Sequence, residues 1–252
     1  MPIMPSHHPL PFCVSLTGAD DAVHPQTLRS ISETFAFAEW AILYFPEKEG
    51  SARNPSTAWR ERFLATSPAR SAAHLCGKRV FLELLDDELA PYRIDDLRRY
   101  GRVQLNINAR GRLFNDEQVL KIYDRLLHAG MTLILQYHDE SKDLIGLFLG
   151  GRSNEELHRI HVLFDGSKGR GVRPTEWPKP LTMPGLPMTC GYAGGLGPDV
   201  MTQEIVRIAG AVESSGSAYW VDMESGLRTN NQFDPDKAVE VLDAVLMFSQ
   251  DS

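Results

Sequence analysis

The sequence predicts a single closed α/β barrel of eight parallel strands, and three observations predict it. Its 252 residues match the roughly 250 that a (β/α)8 barrel takes as one domain. Short β-branched and apolar runs alternate along the chain with segments of helical period, the order expected of repeated strand–helix units around a parallel sheet. No low-complexity linker and no strong internal repeat divides it, so residues 1–252 read as one domain, with 1–11 as a disordered tail.

In order, the first strand is expected at Phe12–Thr17 and the first helix at Pro25–Phe35, whose leading proline suits the first helical turn. Strand two at Glu39–Tyr44 leads to a helix at Pro55–Ala65, and strand three to Ser71–Cys76. The next connection, Lys78–Tyr100, is weaker because Pro91 interrupts it. Strand four at Arg102–Asn108 is followed by a helix at Asp116–His128, then strand five at Thr132–His138, again with a weak connection. Strand six at Ile160–Asp165 precedes Gly166–Pro187, so rich in Gly and Pro that it reads as a long loop. Strands seven (Pro187–Ala193) and eight (Tyr219–Glu224) carry helices at Asp199–Val212 and Pro235–Phe248.

Composition removes several function classes. With 42% hydrophobic and 23% charged residues the chain is an ordinary globule, and no apolar run reaches the 18 or so residues that span a bilayer. A net charge of −7 argues against a nucleic-acid surface, which needs clustered Lys and Arg. Cys13, Cys76 and Cys190 are far apart and odd in number, with no C-x-x-C, so neither a disulfide framework nor a zinc knuckle is indicated. The opening MPIMPSHHPLPF has no basic region followed by an apolar one, and His7-His8 reads as part of the tail. A cytoplasmic protein without metal or cofactor is expected, as no H-x-H or H-E-x-x-H spacing is present.

A barrel points alternate residues of each strand inward, in files that lead to the mouth at the strands' C-terminal ends. Here those files are polar: Cys13, Ser15 and Thr17; His74 and Cys76; Gln104, Asn106 and Asn108; Gln136 and His138; His161 and Asp165; Asp222 and Glu224. A purely structural barrel would place Val, Ile and Leu there, because an unpaired buried polar group costs roughly 1–3 kcal/mol. The alternative is that these groups satisfy one another across the barrel. At the seventh strand, CGYAGGLGPDV (Cys190–Val200) offers Gly194 and Gly195 for close backbone approach just before a helix start. Ser225 and Gly226 give a second small turn after the eighth strand. Barrels most often bind phosphate in these two loops.

Four segments together resemble phosphoribosylanthranilate isomerase: AGGLGPDV (Ala193–Val200), WVDMESGLRTN (Trp220–Asn230) with DPDKAVEVLDAV (Asp234–Val245), VLFDGSKGRGVRPTEW (Val162–Trp177) and VQLN (Val103–Asn106). The family's pieces read approximately AGGL-x-P-x-x-V, D-V-S-S-G-V-E, L-L-D with a G-G-x-G loop and F-x-W, and V-Q-L-H-G, in the same order. The resemblance implies a (β/α)8 barrel, a phosphate site at Gly194, Gly195, Ser225 and Gly226, and an Amadori isomerisation of an aminoribose phosphate by one acid and one base. It places the acid at Asp165 and a group seating the substrate amine at Asp222. It places Ser15 at the family's basic Cys, with Cys13 one inward step deeper as a displaced candidate. Serine alone is not basic, whereas a thiolate takes a proton near neutral pH. Asn106-Ile107 stands for the family's H-G, and Glu224 for its first Ser. The phosphate end is kept and the chemistry end altered, which points away from anthranilate as the substrate.

Other expected ligand contacts are Glu224, Asn106, His138, Arg53, which falls where the family places an Arg for the substrate carboxylate, and Arg228, whose guanidinium can grip an anion with two bonds. Trp177 and Tyr192 are expected to pack instead. The function expected is isomerisation of a small phosphorylated, sugar-like anion. A non-catalytic or regulatory phosphate-binding barrel and a metal-assisted lyase or isomerase are the alternatives.

Overall fold

The structure, a computed structural model, describes residues 9–107 and 113–251. Asn108 and residues 1–8, His7 and His8 included, lie outside them. Eight parallel strands close into a barrel: β1 Cys13–Thr17, β2 Ala38–Tyr44, β3 Ser71–Leu75, β4 Arg102–Leu105, β5 Leu133–Tyr137, β6 Ile160–Phe164, β7 Cys190–Ala193 and β8 Tyr219–Met223, with β8 pairing back onto β1. The single-barrel expectation therefore holds. At the bottom the Tyr219 hydroxyl donates to the Pro9 carbonyl at 2.8 Å and Phe12 N–H to the Tyr219 carbonyl, so the last residues of the expected tail are fastened to the barrel.

Around it run α1 (Pro25–Thr34), α2 (Thr57–Ala65), α3 (Arg79–Leu85), α4 (Ala90–Leu97), α5 (Asp116–His128), α6 (Lys142–Gly150), α7 (Asn154–Leu157), α8 (Pro198–Val212) and α9 (Pro235–Asp251). The weak third connection holds two short helices. Pro91 sits in the first turn of α4, where its missing N–H costs nothing, so it starts a helix rather than breaking one. The α5 start shows why the sequence is legible there: Asn115 and Gln118 form a reciprocal capping box, satisfying two amide donors that a helix start leaves free. Gly166–Pro187 has no helix, only a two-residue hairpin pairing Thr182–Met183 with Leu186–Pro187.

The apolar core lies between strands and helices, with Trp40, Trp59, Phe63, Tyr192 and Tyr219 fully enclosed. The barrel interior is different. Its lower part holds Cys13, Ile134, Leu163 and Trp220 beside a buried ion pair, Arg102 with Glu39. Among the described residues no helix is long and apolar enough to cross a membrane.

Candidate functional site

The inward files build the site from the floor upward. At the bottom Arg102 Nε donates to Glu39 Oε2 at 2.9 Å and its Nη2 to Glu39 Oε1, with His161 Nδ1 3.1 Å from Nη1. The guanidinium lies 4.5 Å from the Trp220 ring centroid and 5.2 Å from that of Phe12, a stacking that suits its weak hydration. Gly191 makes this possible, since a Cβ there would lie 2.2 Å from the Trp220 ring. Burial, and then Arg102, push the His161 pKa down to about 3, so the imidazole is neutral. Floor charges are thus paired and sealed.

Cys13 belongs to that floor. It is fully buried in the apolar cluster and receives a bond from Arg102 Nη2 at 3.4 Å. Burial first and the Glu39 carboxylate second raise its pKa far above the usual thiol range, against the pull of Arg102. A thiol held protonated is no base at neutral pH, and Cys13 does not line the cavity above, so the displaced-base expectation fails on both counts. Ser15, one step higher, is 1% exposed and its hydroxyl has no well-aligned partner. Its register partner is Asp222, and no imidazole is bonded to it to make it a nucleophile.

Above Ser15 a cavity of about 100 Å3 opens at the mouth. Thr17, His74, Gln104, Asn106, Gln136, Asp165, Asp222 and Glu224 line it from the strand ends, and Ser167, Gly169, Gly171, Gly194, Gly195, Ser225 and Gly226 from the loops. Six of the strands thus bring eight residues of the inward files to one point, as the alternation requires. A second space of about 300 Å3 continues outward, sharing Asn106, Gln136, Gly169 and Glu224 and bringing in Lys48, Arg53, Cys76 and Lys168. The inner chamber carries carboxyls and no lining cation, whereas the outer one carries three cations.

Asp222 is the electrostatic centre of the chamber. It accepts a bond from Thr17 Oγ1 at 2.9 Å. Burial raises its pKa from 3.8 to about 7, overcoming the lowering by the Thr17 and Ser15 hydroxyls, with Asp165 and Glu224 adding to the rise. Asp165 reaches the cavity too, but its carboxylate is already engaged. Oδ1 accepts from Ser167 Oγ at 2.8 Å and Oδ2 from Gly169 N–H at 2.7 Å, and Ser167 Oγ in turn accepts from Gly171 N–H at 3.1 Å. Asp165, expected from sequence as the acid, thus holds the loop that follows it while lining the cavity, and Asp222, expected as a ligand contact, lines the same cavity.

Glu224 pairs with Arg53 across the mouth at 2.8 Å. Arg53 has a left-handed backbone, φ 74°, pinned by its own N–H donating to Asp20 Oδ2 at 2.6 Å, so it is an anchored part of the rim. Arg228 is not at the cavity. Its buried guanidinium donates to the Gly18 carbonyl at 2.8 Å, to Asp20 Oδ2 at 3.1 Å and to the Asn231 carbonyl, tying the loop after β1 to the loop after β8. His138 leaves the site as well. β5 ends at Tyr137, and His138 N–H donates to Ser141 Oγ at 3.0 Å, so the chain turns before the alternation would bring the ring inward. It lines a separate space between α5 and α6, its pKa lowered by burial and then by Lys168.

Gly194 and Gly195 have φ 125° and 62°. A Cβ on Gly194 would lie 2.7 Å from the Val172 carbonyl, and on Gly195 2.9 Å from the Arg173 amide. A Cβ on Gly226 would lie 2.2 Å from the Leu196 carbonyl. Bare backbone at Gly194 and Gly195 therefore admits the chain's own long loop, and at Gly226 the loop after β7, while the same glycines face the cavity. That loop is fastened: Trp177 Nε1 donates to Glu204 Oε2 at 2.8 Å, and Tyr192 hydroxyl to the Pro178 carbonyl at 3.0 Å. Trp177 and Tyr192 pack edge to face, 5.8 Å between centroids, as expected.

Gln104 and Gln136 stood in the inward files but were given no role by sequence; their signal was parity alone. Among the described residues no group of three or more His, Cys, Asp or Glu side chains is arranged to hold a metal ion.

Comparison with solved structures finds the same architecture. TrpF from Jonesia denitrificans aligns with a TM-score of 0.58 at 13% identity, covering 96% of this chain and 100% of that one. The N-(5'-phosphoribosyl)anthranilate isomerase of Pyrococcus furiosus gives 0.51 at 10% identity over 94% and 99%, and the phosphoribosyl anthranilate isomerase of Thermococcus kodakaraensis 0.50 at 13% over 92% and 98%. At such identities the likeness is one of fold. No family model matches the sequence, and no curated protein does.

Proposed function

We propose that this protein is an acid/base enzyme acting on a small phosphorylated, sugar-like molecule, with Asp222 as the proton-transfer group. The carrying observation is the enclosed Asp222 carboxyl with its pKa near 7, close to the ideal for a group that must both take and give a proton at neutral pH. Its setting supports the reading. A barrel mouth is where such enzymes work, and the cavity wall opposite the carboxyls offers neutral His74, Gln104, Asn106 and Gln136, groups suited to hydroxyls. The two small-residue loops, Gly194-Gly195 and Ser225-Gly226, line the same cavity and are proposed as the phosphate seat, as in the isomerases of like fold.

The chemistry of those isomerases is not carried over whole. Ser15 cannot replace a basic thiolate, Asp165 is engaged by its own loop, and anthranilate is not the proposed ligand. In the proposed step Asp222, ionised, takes a proton from the hydroxyl-bearing carbon beside a carbonyl or imine and returns it to the carbonyl or imine carbon, while the hydroxyl proton passes to the carbonyl oxygen or imine nitrogen, so atoms and charge balance in an isomerisation. The engaged Asp165 also favours a second reading, a barrel that holds the phosphorylated ligand without turning it over.

Thermal stabilisation by inorganic phosphate, followed by turnover with a panel of sugar and aminosugar phosphates, separates the two. Asp222→Asn keeps shape and loses the titratable proton. On any substrate the panel reveals, it is expected to lower kcat about 10²–10⁴-fold with ligand affinity little changed. Phosphate binding with no turnover across the panel would favour the second reading.

A further inference from the structure

We propose that His74 and Gln104 form a specificity-determining pair that reads one hydroxyl of the ligand, on the wall of the cavity across from the phosphate seat. The inference rests on the function proposed above for the same cavity and adds what the ligand must present there. Both side chains are buried, 2% and 3% exposed, and both line the chamber. His74 Nε2 and Gln104 Oε1 are nevertheless without a hydrogen-bond partner. Leaving two buried polar atoms unmade costs about 1–3 kcal/mol each, a cost that a ligand removes when it binds.

The network fixes what each atom wants. Gln104 Nε2 donates to Asn106 Oδ1 at 2.9 Å and Asn106 Nδ2 to Cys76 Sγ at 3.2 Å, so the amide is oriented and Oε1 is the acceptor left over. His74 is the register neighbour of Gln104 on β3, and burial, with Arg102 next, holds its pKa down to about 3. The ring is neutral, with one N–H to give. In the Nε2–H tautomer of His74, a hydroxyl donates to Gln104 Oε1 and accepts from His74 Nε2–H at once. A carboxylate has no proton for Gln104, and an ammonium has no lone pair with which to accept from His74 Nε2–H. Because β3 and β4 face β7 and β8 across the barrel, a ligand held at its phosphate end by the glycine loops extends its hydroxyl to this pair.

The test uses isothermal titration of the full chain with ribose 5-phosphate, propyl phosphate, which has the phosphate but no hydroxyl arm, and D-ribose. Ribose 5-phosphate is expected to bind at least about tenfold more tightly than propyl phosphate. His74→Phe and Gln104→Met should each close that gap to within about twofold. The double variant should lose no more than either single, since one hydroxyl serves both, and His74→Gln, which keeps a donor, should restore part of the preference. Should His74→Phe fail to fold, Gln104→Met carries the test. Equal wild-type affinity for the two esters, or variants that keep the preference, would overturn the pair while leaving the phosphate seat intact. If neither ester binds, the phosphate reading fails and D-ribose decides: stabilisation lost in Gln104→Met supports the pair, and none in the wild type overturns it.

Discussion

At residue scale the site turns on one carboxyl whose proton is worth more folded than unfolded. Asp222 is raised from 3.8 to about 7, the direction opposite to a salt-bridged carboxylate. Between those values the folded protein keeps a proton that the unfolded chain has released, so stability falls as pH rises from about 4 to 7, and above that the full penalty is in place. Asp222→Asn removes the penalty. Relative to wild type it is expected to gain about 2–4 kcal/mol at pH 8 and little at pH 4, read by urea unfolding at both pH values. No pH-dependent difference between the two proteins would mean that Asp222 ionises normally. Stabilisation together with lost turnover is the signature of a functional group kept at a cost to the fold. Sequence parity brought Asp222, Asp165 and Glu224 to one mouth, but not their division of labour, because that depends on which oxygens their own loops occupy. Ser167 Oγ and Gly169 N–H take those of Asp165, contacts within four residues that no spacing rule flags.

The elements were legible wherever a period or a cap was strong. α5 has its capping box and β1 its alternation. β5 misled because the file rule was carried one residue past the strand end, and the Ser141 hydroxyl that turns the chain makes His138 an outer residue. Arg228 misled for another reason: its partners, Gly18 and Asp20, lie 210 and 208 residues away in sequence. The Gly166–Pro187 loop was read correctly as a loop, and its packing on Gly194 gives a test at this scale. In Gly194→Ala the new methyl meets the Val172 carbonyl at 2.7 Å from a backbone at φ 125°, so the loop must lift. A loss of about 1–3 kcal/mol is expected, with phosphate-induced stabilisation weakened in step. Unchanged melting and phosphate response would detach the long loop from the glycine seat.

For the molecule as a whole, the barrel was legible because length, strand count and alternation all agreed, and structures only 10–13% identical share it over more than nine-tenths of the chain. Fold alone leaves chemistry open, and the resemblance read from the sequence to phosphoribosylanthranilate isomerase breaks at serine 15, asparagine 106 and glutamate 224. Cells lacking phosphoribosylanthranilate isomerase are therefore not expected to grow without tryptophan when supplied with this protein. Robust growth would return the anthranilate reaction to it and require a base other than Ser15. The central claim is reached more directly by titrating the Asp222 carboxyl carbon by NMR in the ligand-free protein, with Asp222→Asn providing the assignment. A midpoint near 7 is the expected result; a midpoint near 4 would contradict the proposed proton-transfer role.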